Sequence, residues 1–170
     1  MIIKEKFSEI RKINNKLLYC SAAVLVVFFS VYFLLENLKL YSYRKESKPY
    51  TDNFLNLLIN KEYDKIYKTY FINNSGNFKD FKQKMDNLSN DFGNVVSYEY
   101  RRVTASKDGI FGNLLGVTIS YNINFNDGKN YLGYFSIEID KKTNRPKAGK
   151  ILDFNISGDN GKKYFTIRFQ

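Results

Sequence analysis

Nineteen consecutive residues near the N-terminus, Leu17 to Leu35, read LLYCSAAVLVVFFSVYFLL and contain neither a charged residue nor proline. A helix of this length spans about 28 Å, which is close to the hydrocarbon thickness of a bilayer. Apolar side chains would surround it on all sides, so it has no polar face for water. Tyr19 and Tyr32 lie towards its two ends, as interfacial aromatic residues do. The stretch therefore predicts a transmembrane helix over residues 17–36.

A cleaved export signal and a buried helix of a soluble protein are the two alternatives for this stretch. A cleaved signal has a shorter apolar region followed by a site with small residues, but this chain continues as ENLKLY from Glu36. A lipoprotein signal carries its cysteine after the apolar run, whereas Cys20 lies near the start of the run. A core helix would keep polar residues on its outer face. These differences favour a permanent membrane anchor.

The distribution of basic residues predicts the orientation of the anchor. Five lysines and arginines precede the apolar stretch, and four follow it closely: Lys39, Arg44, Lys45 and Lys48. Because basic residues are retained on the cytoplasmic side and the first tail is short, we expect residues 1–16 to form a cytoplasmic tail. Residues 37–49 are then a tether that ends at Pro49, since helices usually stop before proline. Residues 50–170 form the domain on the outer side.

Composition limits what this domain can do. Hydrophobic residues make up 44% of the chain and Phe and Tyr 17%, which is enough to build a core. A single cysteine allows no intrachain disulfide, and the absence of histidine removes the commonest general base and metal ligand. The net charge of +10 is spread along the chain, which indicates a solvated surface and no nucleic-acid partner. Phosphate-bearing lipid headgroups are a nearer acidic neighbour.

Helical periodicity marks three segments after the tether. Phe54 and Leu58 recur at helical spacing behind a cap at Thr51 or Asp52. The second segment has an amphipathic stripe at i, i+3, i+4, i+7 and i+8, formed by Tyr63, Ile66, Tyr67, Tyr70 and Phe71. The third helix follows the loop NNSGN (residues 73–77), with Asn77 as its cap and Gly93 as its stop.

After Gly93 the hydrophobic period changes from helical to two, which is typical of strands. The predicted strands are Val95–Ala105, Leu114–Phe125, Tyr131–Asp140, Lys150–Ser157 and Lys163–Phe169. Short turn sequences separate them, including SGDNG at residues 157–161, so neighbouring strands should be antiparallel. Helices followed by strands predict an α+β fold. We expect an N-terminal transmembrane helix, then two or three short helices packed on a curved antiparallel sheet of four or five strands.

This order of elements resembles the nuclear transport factor 2-like superfamily over about residues 50–160. The likeness lies in the segment YDKIY from Tyr63 to Tyr67, in a helix that ends with Phe92 and Gly93, and in the strands that follow. The chain is similar to small bacterial exported domains of this kind, which sit behind a lipid or helix anchor. The resemblance implies a single-pass protein of the bacterial inner (plasma) membrane with a periplasmic or extracellular domain. The layout also resembles assembly subunits of type IV secretion systems.

Members of the superfamily form a cone between helices and sheet that can hold a small ligand. The aromatic residues expected to line it are Tyr63, Tyr67, Phe71, Tyr121 and Phe135. The simpler interpretation, that they are ordinary core residues, is favoured because aromatic side chains dominate core burial. A small-ligand-binding domain is therefore the alternative function.

Enzymes of the superfamily move protons with carboxylates or a His–Asp pair in the cone. The acidic residues that could approach it here are Asp52, Glu62, Asp64, Glu138 and Asp153. Strict alternation puts Asp153 on the face of Ile151, where burial would raise its pKa; the others are expected on polar sides. One carboxylate does not make an acid–base pair. We therefore predict a domain that is not an enzyme and has no metal or cofactor.

The favoured function is binding of another envelope protein, within an envelope or secretion assembly. The last strand of the predicted sheet is an edge candidate that can accept a partner's strand by backbone pairing. The residues assigned to this contact are Tyr164, Thr166 and Arg168.

Charge in the middle of the apolar stretch should weaken the anchor. Arginine at the centre of a spanning helix costs about 2.5–3.5 kcal/mol per residue, so the double variant Val26→Arg/Val27→Arg should be extracted from membranes at alkaline pH more readily than the parent chain. The matched control is Val26→Leu/Val27→Leu, which should stay in the membrane pellet. Equal recovery of all three chains in the supernatant would contradict a spanning helix.

Overall fold

The computed structural model describes residues 2–71, 77–109, 112–158 and 163–169. Within them, three helices precede five strands: α1 (Ile2–Ile59), α2 (Tyr63–Tyr70), α3 (Phe78–Phe92), β1 (Val95–Lys107), β2 (Leu114–Phe125), β3 (Asn130–Asp140), β4 (Arg145–Gly158) and β5 (Lys163–Arg168). The α+β class is as predicted. The predicted loop at 73–77 and turn at 157–161 lie largely outside the described residues. The chain divides into two compact units, Met1–Lys39 and Leu40–Gln170.

The first unit contains the apolar part of α1. In the described part of the chain, one helix is long and apolar enough to cross a membrane, and none of its most apolar window is buried. Leu17, Val24 and Phe33 expose 64%, 68% and 71% of their surface. A core helix of a soluble protein would bury such side chains. The observation agrees with a single-pass anchor and argues against the core-helix alternative.

The prediction that Pro49 ends the first helix is wrong. Helix α1 continues through Pro49 to Ile59, so residues 37–49 are helical and Thr51 and Asp52 lie inside a helix instead of capping one. Proline in a helix interior costs about 3 kcal/mol. Phe54 and Leu55 are completely buried beyond it, and each such side chain contributes about 1.5–3 kcal/mol. Tertiary burial therefore outweighs the local penalty.

The predicted limits of α3 are confirmed. The Asn77 side chain accepts a hydrogen bond from the Lys79 backbone N–H at 2.9 Å, which satisfies one of the unpaired donors of the first turn. Gly93 ends the helix at φ +90°, and its N–H donates to the Ser89 carbonyl at 2.9 Å. A Cβ at Gly93 would lie 2.4 Å from Asn126 Oδ1. Both the backbone angle and the neighbour thus require glycine here.

The five strands form one curved antiparallel sheet in the order β1-β2-β3-β4-β5. Strand β4 begins at Arg145, five residues before its predicted start at Lys150, and Arg145 pairs with Asp140. The turn before it closes early because Asn144 adopts a positive φ of +54° and donates its N–H to the Asp140 carbonyl at 2.8 Å. Asparagine is among the residues that tolerate this conformation.

The core lies between the sheet and the described helices of the second unit. Phe54 is at its centre, and its ring centroid lies 5.3 Å from that of Phe135, 5.1 Å from Phe154, 5.5 Å from Phe169 and 5.4 Å from Tyr70. Most of these pairs are edge-to-face, a favoured geometry for aromatic rings. One side chain of α1 thus joins the helix to strands β3 and β4, to α2 and to the residue that follows β5.

Truncation of this central ring should destabilise the domain more than truncation of a large exposed side chain. We expect Phe54→Ala to lower the free energy of unfolding by about 3–5 kcal/mol, since it leaves a cavity in a packed core. Urea unfolding of the full chain in detergent, followed by tyrosine fluorescence, measures the change. The control is Leu115→Ala, whose side chain is 65% exposed; similar losses for both variants would contradict the central role of Phe54.

Candidate functional site

The structure places the two strand residues of the predicted cone lining inside the core. Tyr121 and Phe135 have no exposed surface, and their ring centroids lie 5.8 Å apart in an edge-to-face contact. Phe135 also stacks on Phe154 at 4.6 Å. Phe54 fills the space in front of Phe135. Packing against neighbouring aromatic rings thus fills the space around the Tyr121 and Phe135 side chains.

The other three residues of that set lie in α2 or directly after it and form a second part of the same core. Tyr67 stacks on Phe71 with centroids 5.2 Å apart, and the Tyr63 hydroxyl lies 3.3 Å from Ser89 Oγ. Phe71 contacts Phe169 at 4.9 Å, and Phe169 in turn contacts Phe54, which links the two groups. Four of the five residues thus belong to one connected aromatic core, and Tyr63 packs against it. Their use as walls of a ligand pocket stays a prediction.

A polar bridge joins α1 to the sheet at the edge of this core. The Tyr121 hydroxyl donates to Asp52 Oδ1 at 2.8 Å and lies 2.6 Å from Thr51 Oγ1. The other carboxylate oxygen of Asp52 is ion-paired with Lys48. Hydrogen bonds to charged groups are worth about 1.5–3 kcal/mol, so the bridge fixes the register of α1 on β2. Because both oxygens of Asp52 are engaged, this carboxylate is a structural partner of Tyr121.

Burial raises the pKa of the Tyr121 hydroxyl well above its ordinary value of 10.0, and the neighbouring Asp52 carboxylate raises it further. A low-dielectric environment disfavours the tyrosinate, and a second negative charge beside Asp52 would be repelled. Tyr121 therefore keeps its proton and remains a donor. Sequence reasoning missed the bridge because its two ends are 69 residues apart and no local pattern pairs them.

A cavity of about 430 Å³ lies against one face of α1. Its lining residues recur at helical spacing: Tyr41, Arg44, Lys45, Lys48, Pro49 and Asp52. The Arg44 guanidinium lies 4.1 Å above the centroid of the Tyr100 ring in β1, a cation–π contact. Arg44, Lys45 and Lys48 are among the four basic residues that closely follow the apolar stretch. Their spacing did not predict a shared cavity because the helix was expected to stop at Pro49.

The candidate carboxylates of α2, of β3 and of the residue before α2 are each ion-paired with a lysine. Asp64 pairs with Lys68 at 2.7 Å on α2, and Glu138 pairs with Lys147 at 3.0 Å across the sheet. Glu62 is ion-paired with the neighbouring Lys65. None of these pairs brings a second acid towards the core. Among the described residues, no three His, Cys, Asp or Glu side chains form a group that could hold a metal ion.

The expectation that Asp153 shares the face of Ile151 is wrong. Asp153 pairs with Ser136, whereas Ile151 pairs with Ile137, so the register shifts by one residue at Leu152. Such a bulge reverses the alternation of side chains beyond it. Asp153 consequently lies on the polar outer face of the sheet, where its Oδ1 accepts a hydrogen bond from Ser136 Oγ at 2.8 Å.

Strand β5 forms one edge of the sheet, as the sequence predicted. The Phe169 N–H donates to the Leu152 carbonyl in β4 at 2.9 Å. Because backbone groups alternate in direction along a strand, the N–H and C=O groups of Tyr164, Thr166 and Arg168 point away from β4. Within the described residues, none of these groups has a backbone hydrogen bond. The three predicted residues therefore share the open edge of the sheet.

No family model matches the chain, and no curated protein matches it significantly.

Ionisation of Tyr121 should make the fold sensitive to alkaline pH. Its folded pKa lies above the unfolded value near 10, so its contribution to stability is complete below pH 10 and is lost as the pH rises further. Between pH 9 and pH 11 the parent chain should lose about 1.4 kcal/mol more than Tyr121→Phe, as measured by urea unfolding. Ile119→Val, a core change on the same strand without an ionisable group, should follow the parent curve. Identical pH slopes for parent and Tyr121→Phe would contradict the assignment.

Proposed function

We propose that this protein is a membrane-anchored interaction domain that binds another protein of the cell envelope by strand addition at β5. The observation that carries the proposal is the open edge formed by Tyr164, Thr166 and Arg168. The backbone groups of these three alternate residues offer three donors and three acceptors, the arrangement that strand addition uses. The apolar part of α1 supports placement of this edge at a membrane.

The two edges of the sheet differ in regularity. Strand β1 pairs with β2 through three register shifts, between Val95 and Ser97, between Tyr100 and Arg102, and at Lys107. Bulges of this kind twist an edge and obstruct a further strand. Strand β5 pairs with β4 without a register shift. A partner strand would therefore fit β5 better than β1.

The side chains along β5 suit an aqueous contact. Tyr164, Thr166 and Arg168 are exposed, whereas Phe165 and Ile167 are buried against the core. The Tyr164 hydroxyl donates to Asn155 Oδ1 at 2.9 Å, and Thr166 Oγ1 donates to the same oxygen. These contacts hold the exposed side chains over β4, so they leave the backbone edge accessible. Affinity would come from main-chain hydrogen bonds and selectivity from the alternate side chains.

The proposal includes the orientation of the chain in the membrane and the fold family of its domain. A cytoplasmic N-terminus and a domain outside the inner membrane of a bacterium follow from the distribution of basic residues and the resemblance to exported domains. The order of helices before an antiparallel sheet supports the resemblance to the nuclear transport factor 2-like superfamily. The packed aromatic core supports an interaction domain over a small-ligand carrier, since Phe54, Tyr121 and Phe135 occupy the interior. The engaged Asp52 carboxylate supports a function without catalysis.

Removal of one outward-facing N–H tests strand addition. We expect Thr166→Pro to abolish copurification of the partner from detergent extracts of the native host, because proline has no N–H and its ring blocks an incoming strand. The domain should stay folded, since proline is tolerated at an edge where the N–H faces solvent. Partner recovery is measured by affinity purification of the tagged full chain and protein mass spectrometry.

The matched control is Thr166→Ala, which removes the same side-chain hydrogen bond to Asn155 but keeps the backbone N–H. It should retain the partner. An unchanged set of copurifying proteins with Thr166→Pro, or an equal loss with Thr166→Ala, would exclude backbone pairing at this edge.

A further inference from the structure

The charges around the α1 cavity do not cancel. Lys48 and Asp52 neutralise each other in their ion pair. Arg44 and Lys45 line the same cavity, and within the described residues neither lies within ion-pair distance of a carboxylate. The cavity therefore carries two uncompensated positive charges. A concave surface with charges of one sign concentrates counter-ions of the other sign.

The geometry of the cavity fits one small anionic group bound at a defined place, and not only a diffuse layer of counter-ions. Its volume of about 430 Å³ lies in the range of small-molecule sites. The contact with Tyr100 holds the Arg44 guanidinium against the ring face, which leaves its N–H groups at the edge of the plane. A guanidinium fork matches the spacing of two phosphate oxygens. Lys45 adds a mobile point charge beside it.

The position of the cavity in the chain indicates where such an anion is available. Arg44 follows Leu35, the last residue of the apolar stretch, by nine residues. A chain of nine residues extends at most about 32 Å, so an inserted anchor keeps the cavity within that distance of the end of the apolar stretch. Tyr41 is 65% exposed on the same helix face, and tyrosine is enriched where protein meets headgroups.

We propose that this cavity, formed by Tyr41, Arg44, Lys45, Lys48, Pro49 and Asp52, binds a phosphate-bearing anion of the class that anionic phospholipid headgroups present. Arg44 holds two oxygens of the phosphate through its guanidinium, and Lys45 neutralises the remaining charge. Asp52 does not oppose the ligand because Lys48 and Tyr121 occupy its oxygens. Occupation of the site would tie α1 to the membrane surface, independently of any partner at β5.

Lipid titration of the full chain in detergent, followed by native mass spectrometry, tests the site. Phosphatidylglycerol should bind the parent chain more tightly than zwitterionic phosphatidylcholine does. Each basic residue near an anionic membrane surface strengthens binding, so the loss of one should weaken the affinity roughly fivefold and the loss of two roughly 30-fold. We therefore expect about 30-fold weaker phosphatidylglycerol binding for Arg44→Gln/Lys45→Gln and about fivefold for Lys45→Gln alone.

The matched control is Lys79→Gln/Lys84→Gln, which removes the same charge from exposed positions of α3 and should bind like the parent chain. Since Lys45 is exposed, its single substitution keeps the test valid even if loss of Arg44 disturbs the fold. Equal binding by Lys45→Gln and the parent chain, or equal losses in both double variants, would overturn the proposal. If soluble glycerol phosphate displaces phosphatidylglycerol, the site recognises the phosphate group from either source. If the lipid stays bound in the presence of glycerol phosphate, the site recognises the membrane lipid.

Discussion

The last turns of α1 are held on the sheet by burial of Phe54 and by the hydrogen bond between Tyr121 and Asp52. The rest of the second unit depends on this contact. Phe54 fills the interior that the sheet curves around, and the hydrogen bond from Tyr121 to Asp52 sets the rotation of the helix about its axis. With that rotation fixed, Arg44 and Lys45 line the same cavity as Asp52. A single docking contact therefore determines both the packed core and the charged cavity.

Because the interior is packed, the candidate binding sites of the domain lie on its surface. Aromatic rings from α1, α2 and the strands occupy the space in which a cone-shaped fold could hold a ligand, and Asp52 is engaged by two partners. Two surface features of the described residues carry the proposals: the backbone edge of β5 and the charges of Arg44 and Lys45. The first suits a strand of another protein and the second suits a phosphate group. Both fit a domain that works beside a membrane.

The sequence allowed most elements to be predicted because their signals are local. Asn77 and Gly93 delimit α3 through capping and backbone geometry that depend on a few adjacent residues. The alternation in β2 marks a strand whose two faces differ in polarity. Local rules failed at Pro49 and at Asp153. A proline was retained inside α1 by the burial that follows it, and a bulge at Leu152 reversed the alternation on which the Asp153 prediction relied.

The candidate sites divide in the same way. The edge position of β5 could be predicted because the last of five strands joined by short turns has a neighbour on one side. The cavity could not, since it needs the helix to continue past Pro49 and Arg44 to meet Tyr100 on β1. By itself the sequence determined the apolar anchor and the α+β order of elements, because the hydrophobic effect acts on patterns along the chain. Only the tertiary structure decided which polar groups meet, because Tyr121 and Asp52 are far apart in sequence and are brought together by burial of the side chains around them.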